Sequence, residues 1–426
     1  MKKLSPTIIA SFFCCILFYT GILRPPSSKP FFSLVENCEI KSLLGKVISN
    51  PVKSSSGKTY SVSFQPSFVF SDFCKSSSIG EIVLYIPSEI VEAYYPGKLF
   101  SLAKNQKNQL EKNQIGFESL FGSETDFPLI EEGIILHVVA NHLEREDGNS
   151  AFYVEKILNH GFDSKIKFYR AYSRLILKRI LYNWKDAGGL LLALLSGSKE
   201  YTSESIQEDF KNAGLAHVLA LSGMHLSIFA SLPTKISGKK QDFVSLFLVL
   251  LFVWFAGISP SLFRALLCMI LGLIFKKLRI KSNLIGILSI SFLIQISIFP
   301  NHIYNYGFIL SYGALVGLYL GQNFIPFFTK LLSKKLSSDL SASLGAQLVT
   351  APICLLGFGT CSPIGIIASV IVSPIATLFL SFGIFTLILS IIFPFLLSPI
   401  GCIISLIYVI LERIVNFFSK FPIIKI

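Results

Sequence analysis

Charged residues are scarce in this chain of 426 residues: Asp, Glu, Lys and Arg make up 15% of it, and 52% is apolar. The mean hydropathy is +0.63, far from that of a typical soluble domain. From residue 205 onward, long apolar runs follow one another with only short polar gaps. Each run is long enough to cross most or all of a hydrocarbon core of about 30 Å. The composition therefore excludes a soluble protein and indicates a membrane protein with several spans.

Signatures of metal and nucleotide chemistry are also missing. The chain has 8 cysteines and 6 histidines, but no Cys-x-x-Cys pair and no His/Cys cluster at zinc spacing. It also lacks a Gly-x-x-x-x-Gly-Lys-Ser/Thr loop, which would hold the phosphates of a nucleotide. We therefore expect no metal, no cofactor and no energy source within the chain.

Two cysteines differ from the other six, which lie in or beside apolar runs. Cys38 and Cys74 lie in a polar segment that we place outside the membrane. A disulfide between them is chemically possible there, and two free thiols are an equally good interpretation.

The pattern predicts a polytopic α-helical membrane protein with about ten transmembrane helices. Residues 1–23 form an N-terminal transmembrane anchor, with Lys2 and Lys3 inside. Nine further spans are predicted in the multi-span domain at 215–426, at about 215–232, 243–258, 260–275, 283–299, 304–320, 340–357, 363–380, 381–397 and 400–417.

Residues 24–160 are polar and predict a small extracytoplasmic β domain after the first helix. Five or six short stretches of β character alternate with turn-rich segments, which is typical of a small barrel or sandwich. An OB-like barrel is one candidate. Some cations and aromatics could form an OB-type binding surface, although barrel core is the simpler interpretation of the aromatics. They are Lys53, Lys58, Tyr60, Phe64 and Phe68.

Residues 161–214 predict an amphipathic, interfacial helical region. Cations recur at spacings of three and four from residue 165 onward, beside an apolar face. They are Lys167, Arg170, Arg174 and Lys178. Such a helix most often lies in a membrane interface with its cations near lipid phosphates, and contact with DNA phosphates is the alternative.

Basic residues cluster in three connections between spans, which should face the cytoplasm. These are Lys235, Lys239 and Lys240, then Lys276, Lys277, Arg279 and Lys281, then Lys330, Lys334 and Lys335. The ten-span count satisfies this rule and places 24–214 outside. It predicts a multi-pass protein of the cytoplasmic (inner) membrane with both termini in the cytoplasm.

Polar residues inside the predicted spans mark candidate functional positions, because a bilayer offers no water to satisfy them. The densest group is His217, Ser222 and His225 in one span. Hydrogen bonds to neighbouring helices and the lining of a hydrated path are both open interpretations. The two histidines are about 80° apart on a regular helix, which is poor for a shared metal. No buried acid is visible for a Ser/His hydrolase, and we expect the protein not to be an enzyme.

An arginine stands a few residues inside another predicted span. Arg264 follows a Pro-Ser turn, and it either extends to the outer interface or projects into a cavity where an anion passes. Gln347 and Thr350 also interrupt a span and are candidates for the polar lining. Gln295 interrupts another span, and Tyr312 ends the stretch that begins at Gly307. Helix packing is the simpler interpretation of each of these four residues taken singly.

Four motifs occur in an order that resembles the ComEC-type competence proteins. They are the run ending His217-Val-Leu-Ala-Leu-Ser222-Gly-Met-His225-Leu, the element Gly257-Ile-Ser-Pro-Ser-Leu-Phe-Arg264-Ala, the stretch Gly307-Phe-Ile-Leu-Ser-Tyr312, and Ala346-Gln347-Leu-Val-Thr350-Ala-Pro352 followed by Phe358-Gly359. The resemblance covers residues 185–400 well and the N-terminal region loosely.

The resemblance implies a channel that takes single-stranded DNA across the cytoplasmic membrane during natural transformation, behind an OB-like outer domain. Its implied partners are single-stranded DNA, membrane lipids and a separate cytoplasmic helicase-like ATPase. Many relatives also carry a metallo-β-lactamase-like domain with a His-x-His-x-Asp-His signature, which this chain lacks, so any nuclease would be a separate protein. A transporter or flippase for another anionic substrate is the alternative function.

Overall fold

A computed structural model of the chain divides into two compact units. One unit comprises residues 27–183, and the other comprises residues 1–26 together with 184–426. The structure describes residues 6–20, 23, 31–54, 57–72, 74–92, 129–143, 150–233, 239–281, 283–330, 332–393, 395 and 397–425. The predicted interfacial region at 161–214 is therefore divided between the two units.

The first unit is built on a sheet that closes on itself. Its strands are β1 Phe32–Ser33, β2 Ser42–Val47, β3 Val52–Lys53, β4 Thr59–Phe70, β5 Lys75–Ile79, β6 Ile82–Pro87, β7 Ile134–Leu143 and β8 Ala151–Phe162. Five of them form a ring in the order β4-β2-β7-β8-β6 and back to β4. Only the β6–β8 pair of this ring is parallel. Each ring strand therefore has a neighbour on both sides.

The interior of this barrel is apolar because the strands alternate between buried and half-buried residues. Tyr60 and Phe64 of β4 are fully buried in the barrel, which confirms the core interpretation for these two aromatics. Phe68 on the same strand is 36% exposed. Gly45 of β2 lies against β4, where an added Cβ would stand 2.2 Å from the Gln65 carbonyl oxygen. Only glycine fits at this crossing.

A helix follows the barrel directly, and its cations pair with acids of the same unit. The unit contains the short helix α2 Ser88–Val91 and the long helix α3 Lys165–Tyr182. Arg170 Nη1 lies 2.8 Å from Glu132 Oε2. Arg174 and Lys178 both face Glu131, with N–O distances of 3.3 and 3.7 Å.

These cations are buried, so the amphipathic pattern of α3 has a different meaning from the one predicted. The side chains of Arg174 and Lys178 are 4% and 2% exposed. A face that is buried against carboxylates does not present these two cations to lipid or DNA phosphates. The sequence could not reveal this because the partner acids stand more than thirty residues away along the chain.

Asp163, which directly follows β8, is tied to β2 and to α3 by two lysines. Its carboxylate pairs with Lys46 of β2 and with Lys167 of α3. Burial alone would raise the pKa of Asp163, but the hydrogen bonds from the two lysines outweigh it and hold the pKa below its ordinary value. The hydrogen bond between Asp163 and Lys46 also raises the pKa of Lys46.

We expect acid to weaken this connection. A carboxyl group whose pKa is lowered by folding stabilises the folded state above its ordinary pKa, and this contribution is lost as the pH falls through the folded-state pKa. At pH values below about 4, the amides at the end of β8 should therefore be less protected from exchange. Hydrogen exchange on the whole protein, corrected for intrinsic rates, measures this protection.

Asp163→Asn should remove this pH dependence. Asp72→Asn is the matched control, because the ion pair of Asp72 with Lys41 is exposed. The same acid dependence in Asp163→Asn as in the wild type would contradict the assignment.

The second unit is helical. Its helices are α1 Pro6–Tyr19, α4 Lys185–Ser196, α5 Glu204–Asn212, α6 Ala216–Leu219, α7 Gly223–Ser231, α8 Lys239–Ala256, α9 Pro260–Lys277, α10 Leu284–Ile298, α11 Tyr306–Gly321, α12 Ile325–Phe328, α13 Lys334–Phe358, α14 Gly365–Ile392 and α15 Leu397–Ser419. Two short strands, β9 Thr360–Cys361 and β10 Ile424–Lys425, pair with each other.

Four segments of the described chain are long and apolar enough to cross a membrane. They are Tyr306–Phe328, Lys334–Phe358, Gly365–Ile392 and Pro399–Ser419. Helices α1 and α10 are apolar but shorter. The prediction of a membrane protein with an N-terminal β region is thus confirmed, whereas the number of ten spans is not.

Three of the predicted spans need correction. The spans predicted at 363–380 and 381–397 are one continuous helix, α14, which tolerates Pro374 in its interior. The span predicted at 215–232 is broken into α6 and α7. An apolar run in the sequence indicates that a segment lies in an apolar environment. The packing of the folded chain decides where the helix in that segment begins and ends.

Helices α11 and α13 approach each other closely along rows of small residues. An added Cβ on Gly317 would lie 2.3 Å from the Gly345 carbonyl oxygen, and one on Gly321 would lie 2.4 Å from the Ser341 carbonyl oxygen. Such small-residue rows let helix backbones touch in a membrane, where hydrophobic burial does not drive association.

The C-terminal end returns to the start of α14. Ile424 pairs with Cys361, and Lys425 with Thr360. The ten-span count placed the turn near residue 360 outside and the C-terminus in the cytoplasm. These two placements exclude each other, because paired strands lie on the same side of the membrane.

Candidate functional site

The candidate site is the break between α6 and α7. Ala220 and Ser222 have extended backbone angles, with ψ of 140° and 177°. Non-helical backbone within a bilayer is tolerated where it is buried in protein or lines a water-filled cavity. The position of this break relative to the long helices therefore indicates whether it lies within the membrane.

Contacts with α14 place the break deep in the helical unit. An added Cβ on Gly214 would lie 3.0 Å from the Cα of Gly365, the first residue of α14. Thr377 Oγ1 donates to Met224 Sδ at 3.3 Å. Twelve residues of helix rise about 18 Å, more than half of a hydrocarbon core of about 30 Å. The break therefore lies near the middle of α14.

Ser222 and His225 form the N-terminal cap of α7. The backbone N–H of Ser222 donates to His225 Nδ1 at 3.1 Å, and Ser222 Oγ lies 3.3 Å from the same nitrogen. A ring that accepts at Nδ1 carries its hydrogen on Nε2 when neutral, an assignment that rests on this hydrogen bond. His225 is fully buried, and its Nε2 has no hydrogen-bond partner among the described residues.

Arg264 of α9 lies at the first turn of α7. Its Nη2 is 3.4 Å from the place that a Cβ on Gly223 would occupy. Its Nη1 donates to the Ser311 carbonyl oxygen at 2.6 Å, and the guanidinium carbon lies 6.0 Å from the centre of the Tyr312 ring. Arg264 is 8% exposed. It therefore projects into the protein rather than extending to the interface, which resolves the two alternatives left by the sequence.

The guanidinium is incompletely paired. In the described part of the chain, Arg264 Nε has no hydrogen-bond partner, and no carboxylate forms an ion pair with this side chain. Burying a charge without a partner of opposite charge is costly.

A buried polar network orients the residues around Arg264. Tyr312 donates to Gln295 Oε1 at 3.0 Å, and its hydroxyl lies 3.2 Å from Ser291 Oγ. Gln295 Nε2 in turn donates to the Pro260 carbonyl oxygen at 3.0 Å. Gln295 and Ser291 are both fully buried. The sequence had placed Gln295 and Tyr312 in ordinary packing, and only the fold shows that they bond to each other and that the Tyr312 ring lies near the arginine.

The other predicted lining residues lie elsewhere. Gln347 Nε2 donates to the Ser362 carbonyl oxygen at 2.6 Å, so it ties α13 to the turn before α14. Thr350 donates to the Ala346 carbonyl oxygen of its own helix at 3.0 Å. His217 is exposed on α6, before the break. The structure thus brings together Ser222, His225 and Arg264, but not the full predicted set.

The predicted cysteine pair is not bonded. Cys38 and Cys74 are both free and exposed. Cys38 Sγ lies 3.8 Å from Glu36 Oε2, and Cys74 Sγ lies 3.4 Å from Ser71 Oγ. Each thiol therefore contacts a polar group of its own turn. Of the two interpretations that the sequence left open, the structure has the two free thiols and not the disulfide.

Among the described residues, no group of three or more His, Cys, Asp or Glu side chains is placed to hold a metal ion. The donors at the break are instead N–H groups of Arg264, of the His225 ring and of the α7 N-terminus. Such groups attract anions and repel cations.

Comparison with known proteins identifies the family. A family model described as Competence protein matches residues 194–426, which is more than half of the chain and includes every residue of the break. The chain belongs to the Competence protein family. This confirms the resemblance drawn from the four motifs.

One relative of the competence family is ComE operon protein 3 of Bacillus subtilis (strain 168). It is 25% identical over 198 residues, which are 45% of this chain and 25% of the relative. The chain thus spans about a quarter of the length of the curated relative it matches. No solved structure matches the chain.

Proposed function

We propose that this chain forms the membrane passage through which a single DNA strand enters the cytoplasm during natural transformation. The observation that carries the proposal is the buried, incompletely paired Arg264 at a helix break near the middle of α14. Membership of the Competence family supports a role in DNA uptake. A strand carries one negative charge per nucleotide, so its path requires cationic groups that carboxylates have not already neutralised.

The barrel is the outer domain that receives the strand. Its five-stranded ring, closed by one parallel pair, supports an OB-like barrel, a fold that binds oligonucleotides on one sheet face. Phe68 stands on the outer surface, with Lys75 Nζ 4.0 Å from its ring centre. Phe70 and His137 lie beside it, their rings 5.1 Å apart. Exposed aromatic faces next to a cation suit the stacking of unpaired bases.

The chain acts as a conduit and not as an enzyme. His225 Nδ1 already accepts the backbone N–H of Ser222, so the serine and histidine cap a helix instead of forming a nucleophile and base. Ser222→Ala should therefore cause a graded loss of transport. A separate cytoplasmic ATPase supplies the driving force.

The N-terminus lies in the cytoplasm of a multi-pass inner-membrane protein, and the barrel lies outside. Because α14 crosses once and β10 pairs with β9, the C-terminus lies on the same side as residue 360. The span order predicted from the sequence up to that residue supports a location outside the cytoplasm for this side.

Opposite reporters fused after residue 426 test this orientation. Alkaline phosphatase, which is active only outside the cytoplasm, should be active there, and green fluorescent protein, which folds inside, should be dark. Fusions within the connection at 276–281 should behave in the opposite way. Fluorescence of the C-terminal fusion would contradict the single crossing of α14.

DNA uptake in cells that lack the gene tests the proposed function. Cells complemented with this chain should convert fluorescently labelled DNA into a form that nucleases added outside cannot reach. The deletion strain should retain its label outside the cytoplasmic membrane. Equal uptake with and without the chain would contradict the proposal and favour a transporter or flippase for another anion.

A further inference from the structure

The break between α6 and α7 gathers positive potential from several sources. The N-terminus of a helix carries unsatisfied N–H groups and about half a positive elementary charge. Helix α7 begins at Gly223, directly beside Arg264 Nη2. The guanidinium and the positive end of α7 repel one another unless an anion lies between them.

The neighbouring groups offset this potential only in part. The Ser311 carbonyl oxygen accepts one hydrogen bond from Arg264, and the face of the Tyr312 ring attracts the guanidinium. Arg264 Nε and the fully buried Nε2 of His225 remain without hydrogen-bond partners among the described residues. A buried donor that makes no hydrogen bond destabilises the folded protein.

We infer that Arg264, the Gly223 end of α7 and His225 form a binding site for a single phosphodiester group. The inference rests on the proposed function for its main source, the backbone of the transported strand. A phosphodiester has one negative charge and several acceptor oxygens, which match a guanidinium, a ring N–H and helix N–H groups. Gly223 has no side chain between the first turn of α7 and Arg264 Nη2, so an oxygen in that place lies within reach of both the backbone and the guanidinium.

The site takes one phosphate at a time. Arg264 is held by its hydrogen bond to the Ser311 carbonyl oxygen and by the Tyr312 ring, and Gln295 and Ser291 hold Tyr312 in turn, so the site is fixed in position. A strand drawn past it moves from one phosphodiester to the next. Phospholipid headgroups have the same chemistry and are the second source.

Binding to the purified whole protein tests the site. The protein is solubilised in a maltoside detergent, which contains no phosphate, and titrated with a fluorescent oligothymidylate. The same oligomer with an uncharged methylphosphonate backbone reports any contribution from the bases. Arg264→Gln removes the charge, and Gly223→Ala keeps the charge but fills the gap beside Nη2. Arg413→Gln is the matched control, because Arg413 of α15 is exposed.

Arg264→Gln should bind the phosphodiester oligomer at least about tenfold more weakly than the wild type, as expected for a lost charged hydrogen bond. Gly223→Ala should also weaken binding, and Arg413→Gln should not. The methylphosphonate oligomer should bind the wild type and Arg264→Gln equally weakly. Gly223→Ala keeps the test valid if Arg264→Gln does not fold.

A second arm distinguishes the lipid source. Native mass spectrometry counts the phospholipids that remain on each variant after purification. Loss of a lipid from Arg264→Gln, with unchanged oligomer binding, assigns the site to a headgroup. If neither oligomer binding nor lipid retention changes in folded Arg264→Gln and Gly223→Ala, the site is overturned. In that case a positive uptake assay with the wild-type chain would leave the proposed function standing.

Discussion

Cells that carry Arg264→Ala should import labelled DNA about 10- to 100-fold more slowly than cells with the wild-type chain, because charged hydrogen bonds contribute about 1.5–3 kcal/mol. The buried guanidinium is the cation that the structure places beside the helix break near the middle of α14. Among the described residues of the helical unit, Arg264 is the only buried charged side chain, so its removal leaves no other buried charge there. The rate of appearance of nuclease-resistant label in the cytoplasm measures the effect.

Three controls make this result specific. Arg264→Lys keeps a charge but loses the planar fork, so uptake should recover only in part. Arg413→Ala changes an exposed arginine of α15 and should leave uptake unchanged. Membrane insertion is checked for every variant. Wild-type uptake in correctly inserted Arg264→Ala would show that the strand does not pass this arginine.

Gly345→Leu should strongly destabilise the helical unit. An added Cβ at Gly345 would lie 2.3 Å from the Gly317 carbonyl oxygen and 2.6 Å from the Cα of Gly321, and both are backbone atoms that cannot rotate away. The larger side chain therefore forces α11 and α13 apart. Overpacking commonly costs about 1–3 kcal/mol, and backbone contact places this substitution at the upper end. The fraction of monodisperse protein after mild heating in detergent measures the loss.

Gly272→Leu provides the matched control for this prediction. Gly272 also lies in an apolar helix, α9, but an added Cβ there meets nothing within 4 Å. The same substitution should therefore leave the folded fraction unchanged. Gly345→Ala should fall between the two, because it adds only the Cβ. Equal behaviour of Gly345→Leu and Gly272→Leu would contradict the close α11–α13 contact.

The sequence revealed most where a local pattern has one physical meaning. Alternating short strands predicted the β domain, and long apolar runs predicted a membrane protein. The resemblance of the four motifs identified the family. His217, Ser222 and His225 attracted attention because polar groups are costly in a bilayer. Two of these three, with Arg264, do meet at the break.

Tertiary structure decided what depends on partners far away in the chain. The cations of α3 looked like a surface for phosphates, but Glu131 and Glu132 pair with them across the fold. The apolar run from 363 to 397 contained no signal that one helix, and not two, occupies most of it.

By itself, then, the sequence determined the class of the protein and which residues are costly to bury. It could not determine where those residues go. The sequence could not show that Arg264 lies beside Gly223 at the end of α7. Electrostatic potential depends on distance in space rather than along the chain, so only the fold shows which groups this cation acts with. The strand pairing that brings the C-terminus to the start of α14 has the same origin, since two-residue strands leave no pattern to recognise.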